Sequence, residues 1–408
     1  MKLPSISFTF VLLTIMINMM GVGLIWPILP TLVGDLMGES LTQKTIIIGA
    51  ISVIFSLMQF IFAPILGTLS DKFGRRPVML ICLLGLGLDT LLLALATNVW
   101  WLLAARALGG IFGASYSIAS AYIADTSEPD DRAANFGLLG AAFGIGFIIG
   151  PLLGGLLGSV DIRLPFYIAA ALSFANLVVG YFFLEESLPE NQRNQSAKLR
   201  DANPFGTLKL LSSHSSLLLV SLVYFVANLT QRGMETIWIL FSQHQYGWNV
   251  SEAGLSLAIV GASYFVVQGF LVGPVINRYG EKLTATLGML LCACMFLILA
   301  FNTNSLIGYL GIPLYALGAG CAIPAMQSMA SRFIPANQQG HLQGSLTALL
   351  GIAAIIGPAL SSASFAYFTS PVAPISFAGA YFFVGAFIFM GVAWATRRLN
   401  SASENRAQ

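Results

Sequence analysis

The chain has 408 residues, of which 57% are hydrophobic and 9% charged, and its formal net charge is +2. A soluble domain is about 45–50% apolar and about 25% charged, so one large soluble core is excluded and a lipid bilayer is the expected partner. That net charge argues neither for nor against nucleic acid, but with no basic tail or Arg/Lys patch beyond short loops no nucleic-acid partner is expected.

A membrane helix needs about 20 apolar residues, and that window gives twelve candidate spans. The first six cover roughly 7–30, 44–66, 77–96, 98–122, 134–157 and 164–184. The opening run from about Ile6 to Pro30 is longer than the core of a signal peptide and reads as a membrane helix. It carries Asn18. The second span leads into Gly67 to Leu80, GTLSDKFGRRPVML, where Asp71, Lys72, Arg75 and Arg76 crowd a turn of about eight residues. Pro77 suits the first turn of the third span, where its missing N–H costs nothing. Asp89 lies inside that span. Arg106 and Tyr116 lie in the fourth, which ends at Asp125, and Gly150-Pro151 lies in the fifth. Glu185 to Ser213 is the longest polar segment and reads as a linker. The second six spans cover roughly 216–241, 252–274, 283–301, 305–329, 342–367 and 375–395. The seventh carries Asn228, Arg232, Glu235 and Trp238, and the eighth carries Tyr264 and Gln268. The expected fold is therefore an all-α integral membrane protein of twelve helices in two pseudo-symmetric six-helix bundles. The bundles fall at 1–184 and 216–395, with a linker at 185–215 and a tail at 396–408. Cys82, Cys292, Cys294 and Cys321 all fall in apolar runs and read as small hydrophobes, not as a disulfide frame or metal site.

Basic residues orient the chain. With the N-terminus inside, fifteen of the nineteen Lys and Arg fall in cytoplasmic segments and only Lys44 and Arg163 outside. Both termini and the linker are thus expected in the cytoplasm. The halves also repeat. GTLSDKFGRR at 67–76 aligns with GPVINRYGEK at 273–282, an offset of 206, and Gly150-Pro151 aligns with Gly357-Pro358, an offset of 207. Parallel six-span repeats place a transporter's substrate site near the bilayer midplane.

Three signatures resemble those of the major facilitator superfamily: GTLSDKFGRRPVML, Arg106 to Gly110 (RALGG), and GFIIGPLLGG at 146–155. The third is similar to the antiport motif of its drug:proton exporters. Within that group the chain resembles the tetracycline efflux proteins, on GLIWPILPTL (23–32), LGLDTLLLA around Asp89, IADTSEPDDR (123–132) and YGWN (246–249). The resemblance spans the whole chain and implies secondary transport by alternating access. It also implies that Asp89 falls where those exporters carry an acidic residue tied to transport. The sequence departs from those exporters at three positions. Asn18 and Cys292 stand where they carry membrane aspartates, and Tyr264 stands where they carry a histidine. Those positions are linked in that family to proton coupling or to the drug–cation complex.

An ionisable group inside a span is costly and is a functional candidate by default. Asp89 lies about 12 residues into the third span, or ~18 Å, and Arg106 about 8 residues into the fourth, or ~12 Å. In a core of about 30 Å they reach similar depth and can face each other across the hairpin. Desolvation and the nearby cation act oppositely on the Asp89 proton, as a proton carrier requires; a static ion pair is the alternative. Arg232 and Glu235 share a face of the seventh span. They either neutralise each other, or supply a second proton site (Glu235) and an anion contact (Arg232). The expected gating residues are Gly67, Asp71, Arg75, Arg76, Asp125, Gly150 and Pro151, whose charges latch the cytoplasmic helix ends; a topology signal with tight packing is the alternative. Substrate-lining candidates are Asn18, Tyr116, Asn228, Arg232, Trp238, Tyr264 and Gln268, a mixture suited to an amphipathic organic ligand.

No nucleotide-binding loop or catalytic constellation appears, so no enzymatic activity and no cofactor are expected, and a gradient supplies the energy. The sequence points to a monomeric proton-coupled exporter of amphipathic drugs, tetracycline-like ones included, in a bacterial inner membrane. Export of one physiological metabolite such as a siderophore is the second reading, and a uniporter or importer the third.

Overall fold

The computed structural model describes residues 6–38, 40–128, 131–193, 203, 205–206, 208–213, 215–335 and 338–399. Lys198, Arg200 and Asp201 of the expected linker, and the tail beyond Leu399, lie outside the described residues. Among the described residues, twelve helices are long and apolar enough to cross a bilayer. In order they are Ile6–Ile25, Leu41–Phe73, Arg75–Ala94, Val99–Thr126, Ala134–Gly158, Leu164–Phe183, Ser215–Tyr246, Val250–Tyr279, Glu281–Phe301, Ser305–Ser331, Gln339–Phe368 and Ala380–Arg398. Among the described residues no strand forms. Helices satisfy their backbone groups internally, which hydrocarbon demands.

Several boundaries differ from those expected from hydropathy. The second span does not stop near residue 66 but stays helical to Phe73, so Ser70, Asp71 and Lys72 ride on its last turn. The charged turn shrinks to one residue, Gly74, with φ 105° and ψ 159°, and the helix resumes at Arg75. Its repeat behaves alike: the chain is helical to Tyr279, turns at Gly280 with φ 76°, and resumes at Glu281. Only glycine adopts that backbone region without strain, which explains why both copies keep it. A hydropathy window ends where polar residues begin, whereas a helix ends where the backbone turns. The first run also divides. Its span ends at Ile25, and a short helix, Leu29–Met37, follows a turn. The fourth span breaks at Gly113, between helices Val99–Phe112 and Ser115–Thr126, and the Gln59 amide donates to the Gly113 carbonyl at 3.0 Å. The eighth contains a π-turn at Val267–Leu271, which includes Gln268.

The chain forms two compact units. One holds Met1–Glu39, Ile54–Asn203 and Asn249–Gly261; the other holds Ser40–Val53, Pro204–Trp248 and Ala262–Gln408. The first has a core around Phe8, Ile15, Met79, Leu83, Ile118 and Tyr122. Its first and fifth spans approach backbone to backbone. A Cβ on Gly150 would meet the Met20 carbonyl at 2.5 Å, and one on Gly154 the Leu24 carbonyl at 2.5 Å. Small residues let membrane helices pack this closely. The second unit centres on Phe296, ringed by Tyr315, Phe382 and Phe389 at centroid distances of 5.6, 5.2 and 4.9 Å.

The repeat seen in the sequence extends to contacts. In the first unit a Cβ on Gly254 would meet the Pro151 carbonyl at 2.5 Å and Gly155 at 2.9 Å. In the second a Cβ on Gly49 would meet the Ser362 side chain at 2.5 Å and the Pro358 carbonyl at 3.6 Å. Pro151 and Gly155 correspond to Pro358 and Ser362 at the offset of the Gly-Pro repeat. Each unit therefore seats a helix segment on the turn just beyond an intrahelical proline.

Candidate functional site

Asp89 sits on the third span and is 2% exposed. Its Oδ2 pairs with Nη2 of Arg106 from the fourth span, the pairing that the depth arithmetic anticipates. Gly109, one turn beyond Arg106, makes room for it: a Cβ there would meet Asp89 Oδ2 at 2.5 Å. The guanidinium also lies 5.7 Å from the Phe55 ring centroid. The pair is incompletely satisfied, since Asp89 Oδ1 and Arg106 Nε have no hydrogen-bond partner. Charges buried in low dielectric normally acquire full sets of partners. A carboxylate with one free oxygen is instead able to accept a proton there.

The charges at the Gly74 break form a connected network. Arg75 is buried; its Nη1 donates to Asp71 Oδ1 at 2.5 Å and to Ser70 Oγ at 2.7 Å, and its Nε donates to Asp125 Oδ2 at 2.9 Å. Arg75, Asp71 and Asp125 of the expected gating set are thus brought together. Arg76 points elsewhere and donates to the Tyr181 carbonyl at 2.7 Å. Gly150 and Pro151 lie in the helix packing already described. Gly67 stands apart, because a Cβ there would meet nothing within 4 Å.

One central member of this network escaped the sequence reading. Glu186, just past the sixth span, accepts from the backbone N–H of Arg75 at 2.8 Å and of Arg76 at 3.3 Å. It caps the third span with a full negative charge, where the helix start is electropositive. Its signal was an acidic residue directly after a span on the same side as the turn.

A second polar cluster lies on the seventh span, within the other unit. Arg232 Nη1 pairs with Glu235 Oε2 at 2.9 Å. Gln231 Nε2 donates to Glu235 Oε1 at 2.9 Å and to the Tyr264 hydroxyl at 3.2 Å. Both carboxylate oxygens of Glu235 are therefore occupied, whereas Arg232 keeps 45% of its side chain exposed. Cys292 is fully buried, with its thiol 3.9 Å from the Tyr315 carbonyl. Asn228 is buried and donates to the Tyr224 carbonyl at 2.8 Å, a bond internal to its own helix. Trp238 is also buried, stacked edge-on against Trp248 at 6.0 Å. Gln268 is exposed on the π-turn.

In the first unit, Asn18 is 7% exposed and neither amide atom has a hydrogen-bond partner. An uncompensated buried amide is costly, so such a group is suited to an incoming polar ligand. Tyr116 is exposed and meets Phe143 edge-on at 5.7 Å.

Comparison with known proteins shows the family. The model of the Major Facilitator Superfamily matches residues 11–358 and 220–408. The chain is 36% identical over 388 residues to the class C tetracycline resistance protein of Escherichia coli, covering 94% of this chain and 95% of that one. It is 30% identical over 404 residues to multidrug resistance protein 2 of Bacillus subtilis (strain 168), covering 98% and 97%. Among solved structures, the nucleoside transporter NupG superposes with a TM-score of 0.78 at 14% identity, over 96% of this chain and 98% of that one, a likeness of fold.

Proposed function

Because this chain belongs to the Major Facilitator Superfamily, we propose that it exports amphipathic organic compounds, tetracycline-like drugs among them, in exchange for protons. The observation that carries this reading is Asp89, a buried carboxylate inside a membrane span with one cationic partner and one free oxygen. Protonation removes its hold on Arg106, and deprotonation restores it. That switch gives a membrane helix pair two electrostatic states, as a coupled carrier needs. The relatives named for tetracycline and multidrug resistance support efflux as the direction.

The Arg75 network is the gating element of this reading, holding Asp71 and Asp125 in one conformational state and releasing them in the other. Asn18, Tyr116, Asn228, Trp238, Tyr264 and Gln268 are proposed to serve the substrate, with Glu235 as a second proton site. The protein works as a monomer in a bacterial inner membrane with both termini in the cytoplasm.

The test uses purified protein in liposomes with an internal pH dye. Tetracycline, or another amphipathic compound from a panel, is expected to move protons, and Asp89→Asn is expected to silence the signal. Substrate movement with no pH change would remove proton coupling.

Arg232 favours a second reading. An accessible guanidinium in a membrane span suits the anionic group of one physiological metabolite, such as a siderophore. Overexpression that leaves a drug panel unchanged, together with export of an anionic metabolite, would select it.

A further inference from the structure

A cleft of 740 Å³ opens in the second unit where the ninth span begins. That volume lies within the range of small-molecule sites. One part of its wall is basic, from Lys282, Arg332 and Arg397; another part is apolar, from Leu283, Leu287 and Leu290. The charges within it are unequal. Glu281 is already engaged by Arg332, at 2.8 Å to Oε2 and 2.9 Å to Oε1, and by the Ser328 hydroxyl at 2.5 Å. Lys282 and Arg397 carry no ion pair among the described residues. The cleft therefore holds two uncompensated positive charges.

The internal repeat sharpens the contrast. In the first half the helix start after Gly74 is capped by the Glu186 carboxylate, which sits where a Gly74 Cβ would fall. In the second half the equivalent start follows Gly280, where a Cβ would meet nothing within 4 Å and no side-chain cap is made. The first helix start is thus capped by the Glu186 carboxylate from the end of the sixth span, whereas the acid of the second, Glu281, is taken up by Arg332 and leaves Lys282 and Arg397 with no ion pair among the described residues.

Directly below this basic mouth, Leu283, Leu287 and Leu290 are exposed at the i, i+4, i+7 spacing of one helix face. In a membrane-spanning helix such a stripe faces lipid. Trp394, exposed and stacked at 4.2 Å by the Arg398 guanidinium, marks the same end of the twelfth span as an interfacial level.

We propose that this cleft binds an anionic glycerophospholipid. Its phosphate lies between Lys282 and Arg397 at the start of the ninth span, and an acyl chain follows Leu283, Leu287 and Leu290. Charge complementarity selects the head group, and the continuous apolar stripe selects a lipid over a free anion. Basic pockets between membrane helices recognise lipid head groups in this way.

Native mass spectrometry of the full-length protein in detergent tests the assignment, with phosphatidylglycerol and phosphatidylcholine of identical chains as probes. Phosphatidylglycerol is expected to bind about 30-fold more tightly, or five- to sixfold per unpaired cation. The double substitution Lys282→Gln with Arg397→Gln is expected to lower it to the phosphatidylcholine level. Lys282→Arg with Arg397→Lys is expected to keep the preference, as is Lys209→Gln on the linker. Equal binding of the two lipids by the unsubstituted protein would overturn the proposal without any variant. So would a preference that survives loss of both charges, or displacement of the lipid by a tenfold excess of inorganic phosphate, which would mark a site for free anions.

Discussion

Asp89 and Glu235 are both carboxylates in membrane spans, yet their surroundings differ. Asp89 is buried with one oxygen unpartnered, whereas Glu235 has both oxygens occupied beside an accessible arginine. Removing one member of a buried pair strands the other and costs about 3–5 kcal/mol. Asp89→Asn and Arg106→Gln should each lower thermal stability in detergent by that order and abolish substrate-driven proton movement. The double variant should regain much of the stability and none of the exchange. Exchange that survives in Asp89→Asn would exclude this carboxylate as the carrier. Arg232→Gln should behave differently. An ion pair with an exposed arm contributes about 0–1 kcal/mol, so its loss should barely move the melting curve. Its effect should appear as a raised KM for anionic compounds, with neutral ones unchanged. Equal KM changes for both classes would deny Arg232 an anion-binding role.

The two glycine breaks test how far the repeat extends at the level of helices. Both glycines hold a backbone conformation closed to other residues, so Gly74→Ala and Gly280→Ala should each destabilise by about 1–3 kcal/mol. Gly74→Ala should cost more, because its methyl also displaces the Glu186 cap, while Gly280→Ala meets open space. Denaturation in detergent would show the ordering; equal losses would mean the cap contributes nothing. The packing glycines divide in the same way. Gly150→Val should separate the first and fifth spans and reduce folded yield, and Gly67→Ala should leave it unchanged. These elements also show what sequence could reveal. The Asp89–Arg106 pairing was legible because helical rise and bilayer thickness fix depth, and depth alone brings the two together. The repeat was legible because identical turn chemistry recurs at a constant offset. The Glu186 cap was not, since it joins residues more than 100 positions apart through no local rule. Nor was the helical character of Ser70 to Phe73, because hydropathy reports where lipid ends and not where a helix does. Trp238 was legible as an aromatic in a span; its burial against Trp248 depends on the turn at Gly247 that brings the chain back.

At the scale of the whole molecule, the distribution of charge makes one prediction that no single helix can. By the topology expected from the sequence, fifteen of the nineteen basic residues fall on one side of the twelve spans. Cytoplasmic loops retain such charges, so that side should face the cytoplasm. The alternative orientation would place the Arg75 network, Glu186 and the basic cleft at the outer surface. Single cysteines on a background lacking the four native ones decide between them. Val160→Cys lies in an exposed turn between the fifth and sixth spans, and Ser212→Cys in the exposed segment before the seventh. A membrane-impermeant thiol reagent added to intact cells should label the cysteine at 160 and spare the one at 212, and permeabilisation should expose both. The reverse pattern would invert the molecule. The proposed proton-driven export would then require Asp89 to load its proton from the opposite face, and the proposed gate around Arg75 would close the outer mouth instead of the inner one. Labelling of both positions in intact cells would contradict the single span, Leu164–Phe183, between them and, with it, the twelve-span count.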